Sequence, residues 1–450
     1  MKNNLRCILL SVLFVVFGGA SALQAAQTYD LISLYALAEA KDPSLGRARS
    51  HLESRQAEVR SSTANLLPRI DLSSGGNRMW TETLHYGPTK LEGAYYGYNY
   101  GLGLSQPLVN VPAIINRLEI DAAVRSTEAE LMASRHDLQS RLADSYFGVL
   151  KARVSERLLQ AEVKRFEQIV KQAQAFLKVG TGDIIATYEA QARLDATRAE
   201  LVKAETQRKQ ADKQLETLVG VPVVSMRDLG TLTLEGPQPA DLAHWLEQTR
   251  TKQPQIIQAR EELKLASSQV SQMKAEHLPT LNFSGGYSVS KGSTFLPEVE
   301  TRQWYAGLNL TLPLYRGGDV AARTKRAQAA ESERRYMLQD ALEQLLQKTE
   351  QSYMHIESNM SLLRSLELKK SSTAIQLEAV KKGLSIGTRT AVDLLNAEQA
   401  HAGSIRDLQS ARYDHLQYHL QLRIFSGTAG EDDLALLNSL LTSTSPESTN

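Results

Sequence analysis

The chain has 450 residues, 51 Lys and Arg against 50 Asp and Glu, and a formal net charge of +1. This balance argues against nucleic acid as a partner, and the length is typical of two or three domains. The single cysteine, Cys7, lies among the first residues. A chain that has lost that segment has neither a disulfide nor a thiol available for chemistry.

Residues 1–26 have the pattern of a secretory signal peptide. Lys2 and Arg6 precede an apolar run from Ile8 to Phe17, and small residues that suit cleavage follow it. The run is too short to span a bilayer as a helix, and no later run reaches the roughly 18 apolar residues that a transmembrane helix needs. If the exported chain enters a membrane, it must therefore do so as strands.

The two halves of the chain share one plan. Leu67-Pro68 is matched by Leu278-Pro279, and Gly180 is matched by Gly387. Matches at a nearly constant spacing of about 210 residues indicate an internal tandem duplication. The sequence therefore predicts two structural repeats and a disordered, Ser/Thr-rich tail. The predicted bounds are 27–230 for the first repeat, 231–441 for the second and 442–450 for the tail.

Each repeat contains two stretches in which every second residue is apolar. The clearest example has Tyr96, Tyr98, Tyr100, Leu102 and Leu104, with Gly and Asn between them. Alternation over about ten residues is typical of a transmembrane β-strand. Strands of a soluble sheet are the alternative, but Gly and Ser on one face would form a poor core. The predicted strands are about 69–80, 94–106, 281–291 and 302–312.

Four strands are too few to form a membrane barrel alone. The smallest membrane barrels have about eight strands, and open strand edges are not tolerated in lipid. Identical chains must therefore share one wall, and two, three or four copies are arithmetically possible.

Long stretches without proline follow the strands and predict a helical hairpin in each repeat. The first helix of each hairpin could reach roughly 100 Å at 1.5 Å per residue, and the returning helix about half of that length. Gly180 and Gly387 suit the left-handed conformation that ends a helix, and Asp183 and Thr390 are N-cap candidates for the returning helices. Half-length helices are also expected before the strands. The predicted hairpins are about 112–219 and 320–425, and the preceding helices about 30–66 and 241–277.

Two motifs that resemble enzyme sites fail on their context. Gly383 to Gly387 fits the G-x-S-x-G pattern around Ser385, but that motif needs a preceding strand and here follows a helix. His415 and His419 have i, i+4 spacing without the glutamate of a metalloprotease motif, so a surface or helix-seam role is favoured. We therefore expect no enzyme activity, no cofactor and no metal site.

The whole pattern resembles the TolC family of outer-membrane efflux ducts. The most specific matches are 277–281, 312–318 and the stretch Ile386-Gly387-Thr388-Arg389-Thr390 followed by Val392-Asp393. The resemblance implies an α+β membrane protein that functions as a homotrimer. In that trimer, four transmembrane β-strands per chain complete a shared 12-stranded β-barrel above a long antiparallel α-helical coiled-coil barrel.

The resemblance also implies a function and partners. The chain would be the outer-membrane channel-tunnel of a Gram-negative bacterium, with a long periplasmic extension in contact with outer-membrane lipid at its barrel. It would be the exit duct of a tripartite efflux pump or type I secretion system, exporting small molecules or proteins. A periplasmic adaptor (membrane fusion) protein and an inner-membrane RND or ABC transporter would be its partners. A periplasmic coiled-coil scaffold or adaptor without a pore is the alternative.

Family resemblance further implies a periplasmic gate just past the second tip. The acidic residue at the matching position is Asp393, and three copies would form a carboxylate ring that favours cations. Thr390-x-x-Asp393 is also a capping box, and both roles are compatible. A second acid expected one turn later is Asn396, and Arg389 could hold the closed state as a weak ion pair. The expected adaptor-docking residues are Gly180, Thr181, Gly387 and Thr388.

Overall fold

The computed structural model describes residues 28–83, 91–180, 182–229, 235–292 and 299–442. The predicted signal peptide lies outside these residues. The first repeat contributes four helices and five strands. They are β1 (Thr28–Tyr29), α1 (Leu31–Lys41), α2 (Pro43–Ala64), β2 (Arg69–Thr83), β3 (Leu91–Val109), α3 (Val111–Lys178), α4 (Ile184–Val219), β4 (Ser225–Met226) and β5 (Asp228–Leu229).

The second repeat has the same order of long elements and adds a short helix and strand. They are α5 (Leu242–Lys252), α6 (Pro254–Ala275), β6 (Thr280–Lys291), β7 (Glu300–Thr311), α7 (Asp319–Ser385), α8 (Ala391–Phe425), α9 (Glu431–Ser439) and β8 (Leu441–Thr442). Thr442, which the sequence assigns to the tail, lies in β8 and pairs with Asp228.

The four long strands form one antiparallel sheet in the order β2-β3-β6-β7. The register places Leu72, Leu102, Tyr287 and Trp304 opposite one another in a single row across the sheet. Leu72, Leu102 and Trp304 are exposed. Since side chains in a strand alternate between the two faces, this row gives the sheet one apolar face.

Two strands are longer than predicted. β2 runs to Thr83, and β3 spans Leu91–Val109. β3 includes Pro107, which has no N–H to donate to the ladder. The register between β3 and β6 shifts between Pro107 and Val109, and a bulge of this kind is where a sheet tolerates proline.

The two hairpins form the long body of the molecule. α3 has 68 residues and α7 has 67, so each is about 100 Å long. In α3, Leu159, Phe166 and Val170 are buried. Spacings of three and four residues keep them on one side of the helix, where they pack as in a coiled coil.

The helices that precede the strands are broken, whereas the sequence analysis expected each to be continuous. α1 ends before Asp42-Pro43, and α5 ends before Gln253-Pro254. Proline disfavours helical geometry at the residue before it, and Asp42 and Gln253 have extended ψ angles of 119° and 120°. Asp42 then caps α2, since its Oδ1 accepts a hydrogen bond from the Leu45 N–H at 2.9 Å.

A belt of short elements surrounds the helices at mid-height, where the half-length helices meet. β1 pairs with β4 in parallel, and β5 pairs with β8 in antiparallel fashion. The largest buried cluster packs beneath them and includes Tyr146, Phe147 and Tyr413. The Tyr146 hydroxyl donates to the Arg227 carbonyl at 2.6 Å, which ties the belt to α3. None of the described helices is long and apolar enough to cross a bilayer.

Candidate functional site at the hairpin tips

The first tip turns the chain from α3 into α4. Gly180 has a φ of 79°, a left-handed conformation that glycine adopts without the steric cost of a Cβ. Its N–H donates to the Leu177 carbonyl at 3.1 Å, and the Gly182 N–H reaches the Phe176 carbonyl at 3.0 Å. Asp183 caps α4 through its Oδ1, which accepts the Ile185 N–H at 3.0 Å. Thr181, a predicted docking residue, lies outside the described residues.

The second tip has the same form. Gly387 has a φ of 78°, and the Thr388 N–H and hydroxyl both donate to the Gly383 carbonyl, at 2.9 and 3.1 Å. Ser385 makes a local contact, in which its hydroxyl donates to the Lys382 carbonyl at 2.7 Å. Both predicted N-caps, Asp183 and Thr390, are present in the structure.

Asp393 lies in the first turn of α8 and completes a capping box with Thr390. Its Oδ2 accepts the Thr390 N–H at 3.0 Å, and its own N–H donates to the Thr390 hydroxyl at 3.1 Å. The hydrogen bond from the Thr390 backbone lowers the pKa of the Asp393 carboxyl, and the hydroxyl of Thr390 and the charge of Arg389 lower it further. Asp393 is therefore negatively charged at neutral pH.

The other two predicted gate residues have different surroundings. Arg389 acts on Asp393 through its charge, and its methylene carbons lie beside Gly383. Asn396 is exposed, and its Oδ1 accepts a hydrogen bond from Arg193 of α4 at 3.3 Å. This bond links the returning helices of the two hairpins close to the tips.

An apolar cluster holds the two tips side by side. Phe166 and Val170 of α3 pack with Leu394 and Leu395 of α8, together with residues of α4 and α7. Beyond the cluster, a groove of about 200 Å³ lies between the tips and is lined by residues of both, including Asp183 and Thr390. Gly180 and Gly387 have open space where a Cβ would point, so both present bare backbone to the outside.

The sequence analysis missed a set of apolar side chains around the glycines. These side chains are exposed at the very end of the hairpins, where no core requires them: Val179, Ile184, Ile185, Tyr188 and Ile386. Their signal in the sequence was an apolar residue on each side of a predicted tip. An exposed apolar patch rimmed by polar residues is typical of a surface that binds another protein.

Comparison with known proteins identifies the family. The family model described as outer membrane efflux protein matches residues 34–221 and 245–428. The chain belongs to the outer membrane efflux protein family. The first matched range lies within 27–230 and the second within 231–441.

Relatives of this outer membrane efflux protein are similar over almost their whole length. The alkaline protease secretion protein AprF of Pseudomonas aeruginosa is 28% identical over 416 residues, which cover 90% of this chain and 86% of AprF. The outer membrane protein TolC of Vibrio cholerae is 26% identical over 431 residues, covering 95% and 97%. Among solved structures, the CmeC outer membrane channel of Campylobacter jejuni superposes with a TM-score of 0.79 at 18% identity, covering 92% and 90%.

These findings establish the function at the level of the family. The protein is an outer membrane channel for efflux or type I secretion, and its fold is the α+β channel fold. The predicted resemblance to the TolC family is confirmed, and the pore-free scaffold has no support among these relatives. The family consists of channels that catalyse no reaction, and this chain is not an enzyme.

Proposed function

We propose that three copies of this outer membrane efflux protein form one duct, with a twelve-stranded barrel in the membrane and a helical tunnel in the periplasm. The sheet carries the proposal, because β2 and β7 each pair on one side only among the described residues. Unpaired edges are not tolerated in lipid. Pairing β7 of one copy with β2 of the next satisfies every edge, and twelve strands exceed the minimum of about eight for a barrel.

The mass of the detergent-extracted protein tests the assembly. Native mass spectrometry should give a species of three chains that separates into single chains only after denaturation. A single chain that stays dispersed without detergent, or a stable assembly of two or four chains, would contradict the proposal.

The tips are the proposed docking surface for a periplasmic adaptor, through which the duct meets an inner-membrane RND or ABC transporter. The exposed apolar side chains at both tips and the groove between them support this assignment. The relative AprF is named for alkaline protease secretion, and a passive duct needs a partner that supplies energy. Gly180, Thr181, Gly387 and Thr388 are the proposed contact residues.

Asp393 is the proposed constriction residue, with Arg389 and Asn396 beside it. In a trimer, three Asp393 carboxylates would surround one opening, and the Thr390 hydrogen bonds and the Arg389 charge that lower the pKa of each carboxyl would oppose the mutual repulsion that raises it. A ring of carboxylates in a narrow pore attracts cations. Asn396 replaces a second acid, so the ring would be single and its preference for cations moderate.

Single-channel recording of Asp393→Asn tests the gate. We expect the concentration of a polyvalent cation that half-blocks the pore to rise at least tenfold, because the ring loses its charge. Asp407→Asn is the matched control, since Asp407 is an exposed acid on the same helix about 20 Å further along. Equal block in Asp393→Asn and the parent protein would rule out a role for the ring.

A further inference from the structure

The side chains of two histidines of α8 lie next to the backbone carbonyl of Glu235. His415 and His419 are one helical turn apart and therefore lie on the same face. The Nε2 atom of each ring is 3.1 Å from the Glu235 carbonyl oxygen, and the two Nε2 atoms are 3.2 Å apart. The three atoms thus form a nearly equilateral triangle. His415 is buried, with 1% of its surface exposed, and His419 is half-buried.

The triangle has the dimensions of three ligands on a tetrahedral metal ion. Zinc binds histidine nitrogen at about 2.0–2.1 Å and oxygen at about 2.0–2.2 Å, which places tetrahedral ligands about 3.3 Å apart. The observed separations of 3.1 to 3.2 Å agree with this value within about 0.2 Å. An ion about 1 Å above the triangle would contact all three atoms.

We propose that the Nε2 atoms of His415 and His419 and the Glu235 carbonyl oxygen bind a divalent zinc ion, with water as the fourth ligand. This site is separate from the gate and does not depend on the trimer. No three His, Cys, Asp or Glu side chains gather as a metal-binding group among the described residues, so the site has only two side-chain ligands. Its third ligand is a main-chain atom about 180 residues away in the sequence.

Hydrogen bonds alone satisfy this arrangement poorly. If both Nε2 atoms carry protons, both can donate to the two lone pairs of the carbonyl oxygen, but the two N–H groups then converge side by side on one atom, with their nitrogens 3.2 Å apart. If only one carries a proton, the lone pair of the other ring faces the lone pairs of the carbonyl oxygen. A cation above the triangle accepts a lone pair from every one of the three atoms, and the ring protons then reside on the Nδ1 atoms.

The rings are in the protonation state that a metal requires. Burial lowers the pKa of both rings, and that of His419 falls to about 4, so both are neutral at neutral pH. Neutral imidazole is the ligand form of histidine. Arg423, the nearby cation, forms an ion pair with Asp433 at 2.6 Å, which offsets its repulsion of the metal.

The surroundings also limit the affinity. The Nδ1 atom of His415 is buried without a hydrogen-bond partner among the described residues. Metal-binding histidines usually donate that N–H to an acceptor, and losing the acceptor costs about 10–100-fold in affinity. We therefore expect binding in the micromolar range rather than the tighter range of structural zinc sites.

The site would fix the connector between the two repeats to α8. Glu235 lies between β5 and α5, and four residues later the Pro239 carbonyl accepts a hydrogen bond from the Trp245 indole at 2.9 Å. A metal at Glu235 would give the connector a second attachment. Binding should then slow hydrogen exchange of the backbone amides in 235–241.

Calorimetric titration of the mature, untagged protein in detergent with Zn²⁺ tests the site. We expect one Zn²⁺ per chain, binding at least tenfold weaker in His419→Gln, and none in the double variant with His415→Gln. His355→Gln is the matched control. His355 is exposed on α7, and its ring stacks on Tyr418 of α8, with the ring centroids 5.0 Å apart. Unchanged binding in His419→Gln, or equal loss in His355→Gln, would overturn the proposal.

A measurement on the unmodified protein keeps the test independent of folding in the variants. Crystals soaked with Zn²⁺ should give an anomalous difference peak at the zinc absorption edge, between the two Nε2 atoms and the carbonyl oxygen. Co²⁺ bound in place of zinc should give the intense visible absorption of a four-coordinate ion. Absence of the peak in soaked crystals, or the weak spectrum of six-coordinate Co²⁺, would refute the tetrahedral site.

Discussion

Asp42 shows how much one buried carboxylate does at the first break between helices. Its side chain is 3% exposed and accepts a charged hydrogen bond from Arg141 at 2.8 Å. Burial alone would raise the pKa of Asp42, but the hydrogen bonds from Arg141, Ser44 and Leu45 outweigh it and lower the pKa to about 2. Arg141 also pairs with Asp137, which is 61% exposed.

Asp42→Asn should reduce the free energy of unfolding by about 1 kcal/mol at neutral pH. The loss should appear as a lower thermal midpoint. Asparagine keeps the N-cap, so the substitution removes mainly the charge from a hydrogen bond. Asp137→Asn is the control and should change stability by less than about 0.5 kcal/mol, because exposed ion pairs contribute little. Equal losses in the two variants would show that burial of Asp42 has no energetic consequence.

The difference in stability between the parent protein and Asp42→Asn depends on pH, because the pKa of Asp42 is lowered in the folded protein. The carboxyl has a lower pKa in the folded protein than its ordinary value of 3.8, so its contribution is complete above that value and is lost as pH falls toward about 2. The gap in thermal midpoint between the parent protein and Asp42→Asn should therefore close between these two pH values. A gap that persists at the lower limit would contradict the assigned shift.

At the scale of elements, a docking role of the tip glycine Gly387 can be distinguished from a purely structural role by comparison with Gly318. Gly387 has a φ of 78°, and Gly318, just before α7, has a φ of 81°. At both positions an added Cβ would point into open space. A leucine costs about 1–2 kcal/mol in backbone strain at either position. Gly318 lies at the opposite end of α7 and makes a matched control.

We predict that Gly387→Leu and Gly318→Leu both assemble, but that only Gly387→Leu impairs docking. The leucine at the tip would project into the proposed adaptor surface, whereas the strain is the same in both variants. Yield of a chemical crosslink to the adaptor, measured at equal amounts of assembled protein, should fall severalfold in Gly387→Leu alone. If both variants lose the crosslink equally, or Gly387→Leu fails to assemble, the glycine is architectural.

At the scale of the whole molecule, tryptophans distinguish the membrane sheet from the helices. Trp304 lies in the apolar row of the sheet and is 81% exposed, whereas Trp245 of α5 is 5% exposed. Membrane insertion therefore predicts that lipid contacts Trp304 and not Trp245. Trp80 is also exposed, in β2, and we expect lipid to contact it as it contacts Trp304.

Lipids with brominated chains, which quench nearby indoles, test this placement. In single-tryptophan variants reconstituted into such vesicles, Trp304 should lose more than half of its fluorescence and Trp245 almost none. Soluble quencher at the same concentration range controls for exposure to water. Equal quenching of both residues by the lipid would place the sheet outside the bilayer.

The sequence by itself determined the elements whose signal is local. Alternation at every second residue marked the four strands, and long stretches without proline marked the helices of the hairpins. Gly180, Gly387, Asp183 and Thr390 marked the tips, because a left-handed glycine and an N-cap are properties of a few neighbouring residues. The breaks at Asp42 and Gln253 were missed although each precedes a proline, because the helical pattern resumes immediately after it.

Only the tertiary structure decided what distant segments do together. The groove between the tips needs residues from both hairpins, and the triangle of His415, His419 and Glu235 joins α8 to a connector about 180 residues earlier. No periodicity records these contacts, since side-chain pattern reports the face that a residue occupies and not the segment that covers it. The packing of two long hairpins against one belt sets those distances, and with them the proposed zinc site.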